Sequence, residues 1–220
     1  MLQHVYERTA QARYLTATII ATDDKRVSEV AKNFGARVCM TRPDHLSGTD
    51  RVAEVASAED AEIIVNIQGD EPLIDPAAID AAILPLVHES DVPMATLKKR
   101  IERPREIADP NVVKVVTDAA GDAIYFSRCP IPFDRDRRAR STYYKHIGLY
   151  VYRRDFLLRY SALPVGPLET AERLEQLRAI ENGYRIRVTE TEYESWGVDT
   201  PDDLEQVAKL FEASLTPGVR

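Results

Sequence analysis

Two carboxylates present the clearest chemistry in this sequence. Asp70 follows the apolar run Ile63-Ile64-Val65 within N-I-Q-G-D-E-P, residues 66 to 72, so a buried strand ends and a glycine turn presents an acid. Asp199 stands in W-G-V-D-T-P-D-D-L, residues 196 to 204, just before a helix start. In an open α/β sheet, ligands bind in the crevice beyond the carboxyl ends of the strands. A carboxylate there can hold Mg²⁺ against a nucleotide's phosphates. Taken singly, Asp70 is a turn residue and Asp199 part of a capping sequence. Taken jointly, they read as a pair of Mg²⁺ ligands in a metal-dependent nucleotide enzyme.

Four other segments carry polar groups in suggestive places. In T-R-P-D-H-L-S-G-T-D-R, residues 41 to 51, Ser47 and Gly48 lead into a helix N-terminus, whose free N–H groups meet polar or anionic atoms. Arg42 is placed to hydrogen-bond a base or ribose; the plainer alternative is a cap with a surface arginine. From Arg128 to Arg140 there are five arginines and two aspartates, a local charge of +3 in an acidic protein. Arginine forks suit carboxylates and phosphates, whereas Arg137, Arg138 and Arg140 read as a solvated loop. His146, Gly148 and Tyr150 alternate, so they share one face of a strand, and a small polar-aromatic face suits a sugar. Glu172, Glu175 and Gln176 fall near one another on an expected helix surface, with Glu172 read as a solvated charge.

These groups need a scaffold, and the sequence supplies a βαβ rhythm. Strands are expected at 17–21, 37–40 and 62–67, with helices at 27–34, 49–57 and 76–88 between and after them. Pro85 is expected to kink or shorten the last of these helices. Such alternation implies a mostly parallel sheet with right-handed crossovers. The middle is richer in strands: 92–98, 112–117, 123–127 and 146–152. One helix is expected over 168–181, a strand over 185–191, and a final helix capped by Thr200 with Pro201 at its first position.

Composition bounds the rest. At 220 residues, with 44% hydrophobic and 30% charged residues, the chain suits one soluble α/β domain over 1–220. A net charge of −7 argues against nucleic-acid binding through a general basic field. Cys39 and Cys129 make neither a disulfide framework nor a zinc set, and both read as reduced cytosolic thiols. No apolar stretch reaches the roughly 18 residues of a membrane span, and the start does not look like a secretory signal.

In order, A-T-D-D, C-M-T-R-P-D-H-L-S-G-T-D-R, V-N-I-Q-G-D-E-P-L-I, P-N-V-V-K-V-V-T-D, Y-F-S-R-C-P-I-P-F-D-R-D, H-I-G-L-Y-V-Y-R-R-D-F-L, L-E-Q-L-R and G-V-D-T-P-D-D-L cover nearly the whole chain. Together they closely resemble the CMP-Kdo synthetase family, the 3-deoxy-D-manno-octulosonate cytidylyltransferases of Gram-negative bacteria. The resemblance implies a nucleotide-diphospho-sugar-transferase-like α/β fold, a cytoplasmic homodimer joined through its β-rich middle, and Mg²⁺ as cofactor. It implies CTP and Kdo as substrates and CMP-Kdo and pyrophosphate as products, for lipopolysaccharide biosynthesis. Asp70 and Asp199 are implied as Mg²⁺ ligands, and Arg42, Ser47 and Gly48 as part of the cytidine pocket. Gln68, Arg135, His146, Tyr150, Glu175 and Gln176 are implied at the sugar, with Arg128 a neighbour. The family also opens with a strand and a basic loop, P-A-R-x-x-S-x-R-x-x-x-K-P-L, that has no counterpart here; residues 1 to 5 resemble the helix after it. A core strand missing from such a sheet is expected to leave unpaired backbone or an exposed edge, and an impaired enzyme. Two alternatives stand beside the main reading: an enzyme for a related acid sugar such as 8-amino Kdo, or a non-catalytic dimerising homologue.

Overall fold

The computed structural model describes residues 1–135 and 141–215. Its elements run α1 (Leu2–Thr9), β1 (Ile19–Thr22), α2 (Lys25–Asn33), β2 (Arg37–Met40), α3 (Gly48–Ala58), β3 (Ile63–Asn66), α4 (Pro76–His88), β4 (Met94–Arg100) and α5 (Pro104–Ala108). They continue with β5 (Lys114–Thr117), β6 (Ala123–Ser127), β7 (Tyr144–Arg153), α6 (Arg154–Tyr160), α7 (Pro167–Glu172), α8 (Leu177–Glu181), β8 (Ile186–Glu190) and α9 (Pro201–Leu215).

Local chemistry sets most of the helix starts. Ser47 Oγ accepts from Asp50 N at 3.1 Å at the head of α3, and Asp75 Oδ1 accepts from Ala77 N at 2.9 Å at the head of α4. Thr200 and Asp203 exchange bonds at the head of α9: Asp203 N donates to Thr200 Oγ1 at 3.2 Å, and Thr200 N donates to Asp203 Oδ2 at 2.9 Å. Pro85 does not shorten α4, which runs on to His88. Ile79, Ile83 and Leu86 are fully buried along it, and burying one such side chain is worth about 1.5–3 kcal/mol. Together they outweigh the interior proline's cost of roughly 3 kcal/mol.

The expected helix over 168–181 is two. α7 ends at Glu172, Arg173 takes a left-handed φ of 52°, and α8 begins at Leu177. The break rotates the following residues so that Leu174, Gln176 and Leu177 are all buried. That burial offsets the roughly 1–2 kcal/mol of a left-handed non-glycine residue. It also moves Glu175 and Gln176 off the helix surface where the sequence placed them.

The ladders form a two-stranded parallel sheet and a six-stranded mixed sheet rather than one mostly parallel sheet. β1 pairs with β2 in parallel, and β4 pairs with β8 in parallel. The long strand β7 runs antiparallel to β3, β4 and β5, giving the order β6-β5-β7-β4-β8 with β3 also on β7. Helices cover both sides. One face packs Ile147, Leu149 and Val151 against α4 and α1. The other packs Phe126, Tyr150 and Tyr152 against α6 and α8.

Among the described residues, β1 pairs only with β2, and β3 only with β7. Each therefore keeps one unpaired edge. Between them lies a cavity of about 470 Å³, lined by Ile19–Ala21 of β1, Ile63–Asn66 of β3, Leu2 and Val5 of α1, and Val52 and Val55 of α3. Two strand edges, walled by apolar helix faces, frame a slot of the kind that an extended chain fills in a continuous sheet.

Candidate active site

The site assembles around the carboxyl end of β3. Asn66, the last residue of that strand, is 3% exposed and lies opposite Tyr150 of β7. Its Oδ1 accepts from Gln68 Nε2 at 3.3 Å. Gln68 in turn lies beside Gly48: a Cβ on that glycine would stand 3.8 Å from Gln68 Oε1. The N-terminus of α3 thus faces the turn that carries Asp70. The next residue of α3, Thr49, donates to Glu175 Oε2 at 3.2 Å across 126 residues of sequence.

The β7 face behaves as its alternation implies. The His146 ring lies 5.3 Å from the Tyr150 ring and meets Phe126 edge-on at 5.0 Å. Thr96 of β4 was not foreseen in the sequence. Its hydroxyl lies 2.9 Å from His146 Nε2, 2.8 Å from Leu149 O and 3.1 Å from Ile147 O. The β4–β7 register shifts at Thr96/Leu97, and the hydroxyl, with one proton to give, serves one of the two carbonyls at that irregularity. A hydroxyl that donates to a carbonyl and accepts from Nε2–H fixes the imidazole tautomer. Burial pulls the His146 pKa down to about 3, so the ring is neutral at neutral pH. Burial likewise raises the Tyr150 phenol well above its ordinary value, with Tyr152 and Glu175 adding to the shift. This face offers neutral hydrogen-bonding groups.

Charge enters through the carboxylates. Burial raises the Glu175 pKa, partly opposed by Arg178. Glu175 Oε1, Gln176 Nε2 and Asp70 Oδ1 are buried with no hydrogen-bond partner; Thr9 Oγ1 is the other such atom among the described residues. Leaving a buried polar atom unpaired costs about 1–3 kcal/mol. Three such atoms lie on expected site residues, each free to bond a ligand or an ordered water. Asp199 is exposed and held close to Asp70 through its neighbour, since Val198 N donates to Asp70 O at 3.0 Å.

These features also bear on Mg²⁺. Among the described residues, no group of three or more His, Cys, Asp or Glu side chains converges. Two carboxylates, one with a buried free oxygen, fit Mg²⁺, which keeps several waters and takes its other ligands from substrate phosphates.

The arginines make protein contacts or lie exposed in this structure. Arg128 Nε donates to Glu172 O at 2.8 Å and its Nη1 to Pro110 O at 2.9 Å. Glu172 is no solvated charge. It accepts from Ser127 Oγ at 2.6 Å and Arg128 N at 2.9 Å, tying α7 to β6. Lys114, fully buried, adds a bond from Nζ to Arg128 O. Arg42 is exposed, 3.5 Å from Asp44 and 3.7 Å from Glu54. Ser47 Oγ is occupied in capping α3. Arg135 is exposed at the end of a described segment, and Arg137, Arg138 and Arg140 lie outside the described residues.

Comparison with known proteins identifies the family and the fold. Residues 1–186 match the family model described as "Cytidylyltransferase". A 3-deoxy-manno-octulosonate cytidylyltransferase of Solibacter usitatus is 80% identical over 219 residues, covering 100% of this chain and 87% of the relative. The enzyme of that name from Geobacter metallireducens is 57% identical, over 95% of this chain and 86% of the relative. Among solved structures, a CMP:2-keto-3-deoxy-manno-octonic acid synthetase complexed with CTP superposes with a TM-score of 0.93 at 44% identity. That match spans 97% of this chain and 88% of the other.

Proposed function

The chain belongs to the 3-deoxy-manno-octulosonate cytidylyltransferase family, and from that premise we propose that it joins Kdo to CMP at the expense of CTP. The observation that carries the reading is the set of unpaired buried polar atoms at Asp70, Glu175 and Gln176, with Glu175 tied through Thr49 to the head of α3 beside Gln68. The anomeric hydroxyl of Kdo attacks the α-phosphorus of CTP. A new P–O bond forms, the bond to the β-phosphate oxygen breaks, and pyrophosphate leaves. CMP-Kdo then serves lipopolysaccharide assembly.

The chain's residues bind and orient. The head of α3, with Ser47, Gly48 and nearby Arg42, takes the cytidine. Gln68, His146, Tyr150, Glu175 and Gln176 take the sugar, with Arg135 for its carboxylate and Arg128 supporting the wall through Glu172. The neutral His146 and Tyr150 supply hydrogen bonds without adding charge, and positioning of this kind supplies much of the rate in such transfers. Asp70 and Asp199 hold Mg²⁺, which when bound offsets phosphate charge. As the family resemblance implies, the enzyme works in the cytoplasm.

Gln176 provides a direct test. Its side chain is 3% exposed, with an unpaired amide nitrogen. Gln176→Leu keeps the volume and removes the unpaired group, so thermal stability should hold or rise. Loss of a hydrogen bond to the sugar should raise the apparent KM for Kdo by roughly tenfold, with the KM for CTP nearly unchanged. Equal effects on the two substrates would remove Gln176 from the sugar site.

The same reading makes the protein a homodimer joined through its β-rich middle, residues 112 to 152. Sedimentation equilibrium should return twice the chain mass of 24.8 kDa. A folded monomer at micromolar concentration would refute the assembly.

A further inference from the structure

Asp70 and Asp199 sit on separate loops, and something must fix the distance between them. Glu71, adjacent to Asp70, points away from the crevice into the loop that follows β8. Tyr193 Oη donates to Glu71 Oε2 at 2.9 Å, and Ser195 Oγ donates to Glu71 Oε1 at 2.6 Å. Each oxygen of one carboxylate therefore holds one residue of the 193–199 segment. Tyr193 is itself buried at 9% exposure within the core packed on α4. Three residues beyond Ser195, the Val198 N–H closes onto Asp70 O at 3.0 Å. Asp199 then leads into α9, its own N–H donating to Asp203 Oδ2 at 3.2 Å. The segment is thus anchored at its start by Tyr193, in the middle by Ser195, and at its end by Val198 and Asp203.

We propose that Glu71 is a positioning residue, whose two-oxygen grip on Tyr193 and Ser195 sets the separation of Asp70 and Asp199. The proposal deepens the assignment of those aspartates made above and rests on it. Glu71 touches neither substrate nor metal in this role. It acts through the loop it holds, as outer partners of metal ligands commonly do. The connection spans 122 and 124 residues of sequence, so it joins two parts of the chain that no local element links.

The chain's one tryptophan, Trp196, lies inside the clamped segment and is half-buried, which provides a reporter independent of turnover. The test uses the full chain with Glu71→Gln, which retains shape but leaves only one good acceptor, and with the pair Tyr193→Phe and Ser195→Ala. Acrylamide quenching of Trp196 should increase in both variants, while circular dichroism stays unchanged. Mn²⁺ binding in the presence of CTP, followed by electron paramagnetic resonance, should weaken by about tenfold or more. Combining all three substitutions should be scarcely worse than either variant alone, because they break one connection. Unchanged quenching in both variants would overturn the clamp. Increased quenching with unchanged Mn²⁺ affinity would reduce Glu71 to a purely structural contact and overturn its positioning role. If the parent chain binds no Mn²⁺ with CTP, the metal assignment of Asp70 and Asp199 falls, while the quenching comparison still decides whether Glu71 holds the loop.

Discussion

Asp70→Asn and Asp199→Asn are each expected to lower turnover at least about 100-fold, with the fold intact. Partners that merely orient a metal ligand cost 10–100-fold when lost, so a ligand itself should cost no less than the upper end of about that range. Neither residue holds the fold together. Asp70 Oδ1 is buried and unpaired, so replacing the charge with an amide relieves burial of a carboxylate oxygen without breaking a bond. The Asp199 side chain is exposed, and its tie to α9 uses its main-chain N–H. Pyrophosphate release with CTP and Kdo, measured over a range of Mg²⁺ and beside a thermal unfolding curve, separates these effects. If both variants work within a few-fold of the parent at ordinary Mg²⁺, the two aspartates do not serve the phosphates.

The second large effect concerns the slot between β1 and β3. Fusing an extended apolar strand ahead of Met1, joined by a short basic loop, is expected to stabilise the protein and raise CTP-dependent turnover. The slot presents one unpaired edge on each side, and its walls carry apolar side chains from α1 and α3. A backbone hydrogen bond contributes about 1 kcal/mol net, so several on each edge amount to something on the order of 5 kcal/mol. For a chain of this size 1 kcal/mol moves Tm by roughly 2–4 °C, which places the rise at roughly 10 °C or more. Amide hydrogen exchange should slow along β1 and β3 and change little in β4 and β7. The basic loop would emerge near Gly48 and Asp70, where charge is needed to hold a triphosphate. An unchanged Tm, with the amides of β1 and β3 still exchanging freely, would show that the slot does not accept a strand.

The sequence by itself determined the elements whose signals are local. Asp75 and Pro76 start α4, and Ser47 starts α3, because a cap and its target lie within three residues. Asp70 was legible because a short apolar run followed by glycine and an acid already describes a strand end and its turn. The common face of His146 and Tyr150 was legible because strand side chains alternate.

Only the tertiary structure decided the features that depend on distant partners. Strand direction is one: β7 runs antiparallel to β3, β4 and β5, and no residue within β7 states that. The break at Arg173 is another. The segment 168–181 has helical composition throughout, but burying Leu174, Gln176 and Leu177 together requires a left-handed residue between its halves. Glu172 is bonded rather than solvated, because Ser127 and the backbone of residue 128 reach its carboxylate first, and Arg128 bonds back to the Glu172 carbonyl. Thr96 and Glu71 gave no signal at all. A threonine inside a strand and a glutamate after an aspartate are ordinary locally, and each acquires its role from groups at least 50 residues away. Short-range chemistry is written along the chain, whereas a polar group's partner across the fold is chosen only when packing excludes the water that would otherwise satisfy it.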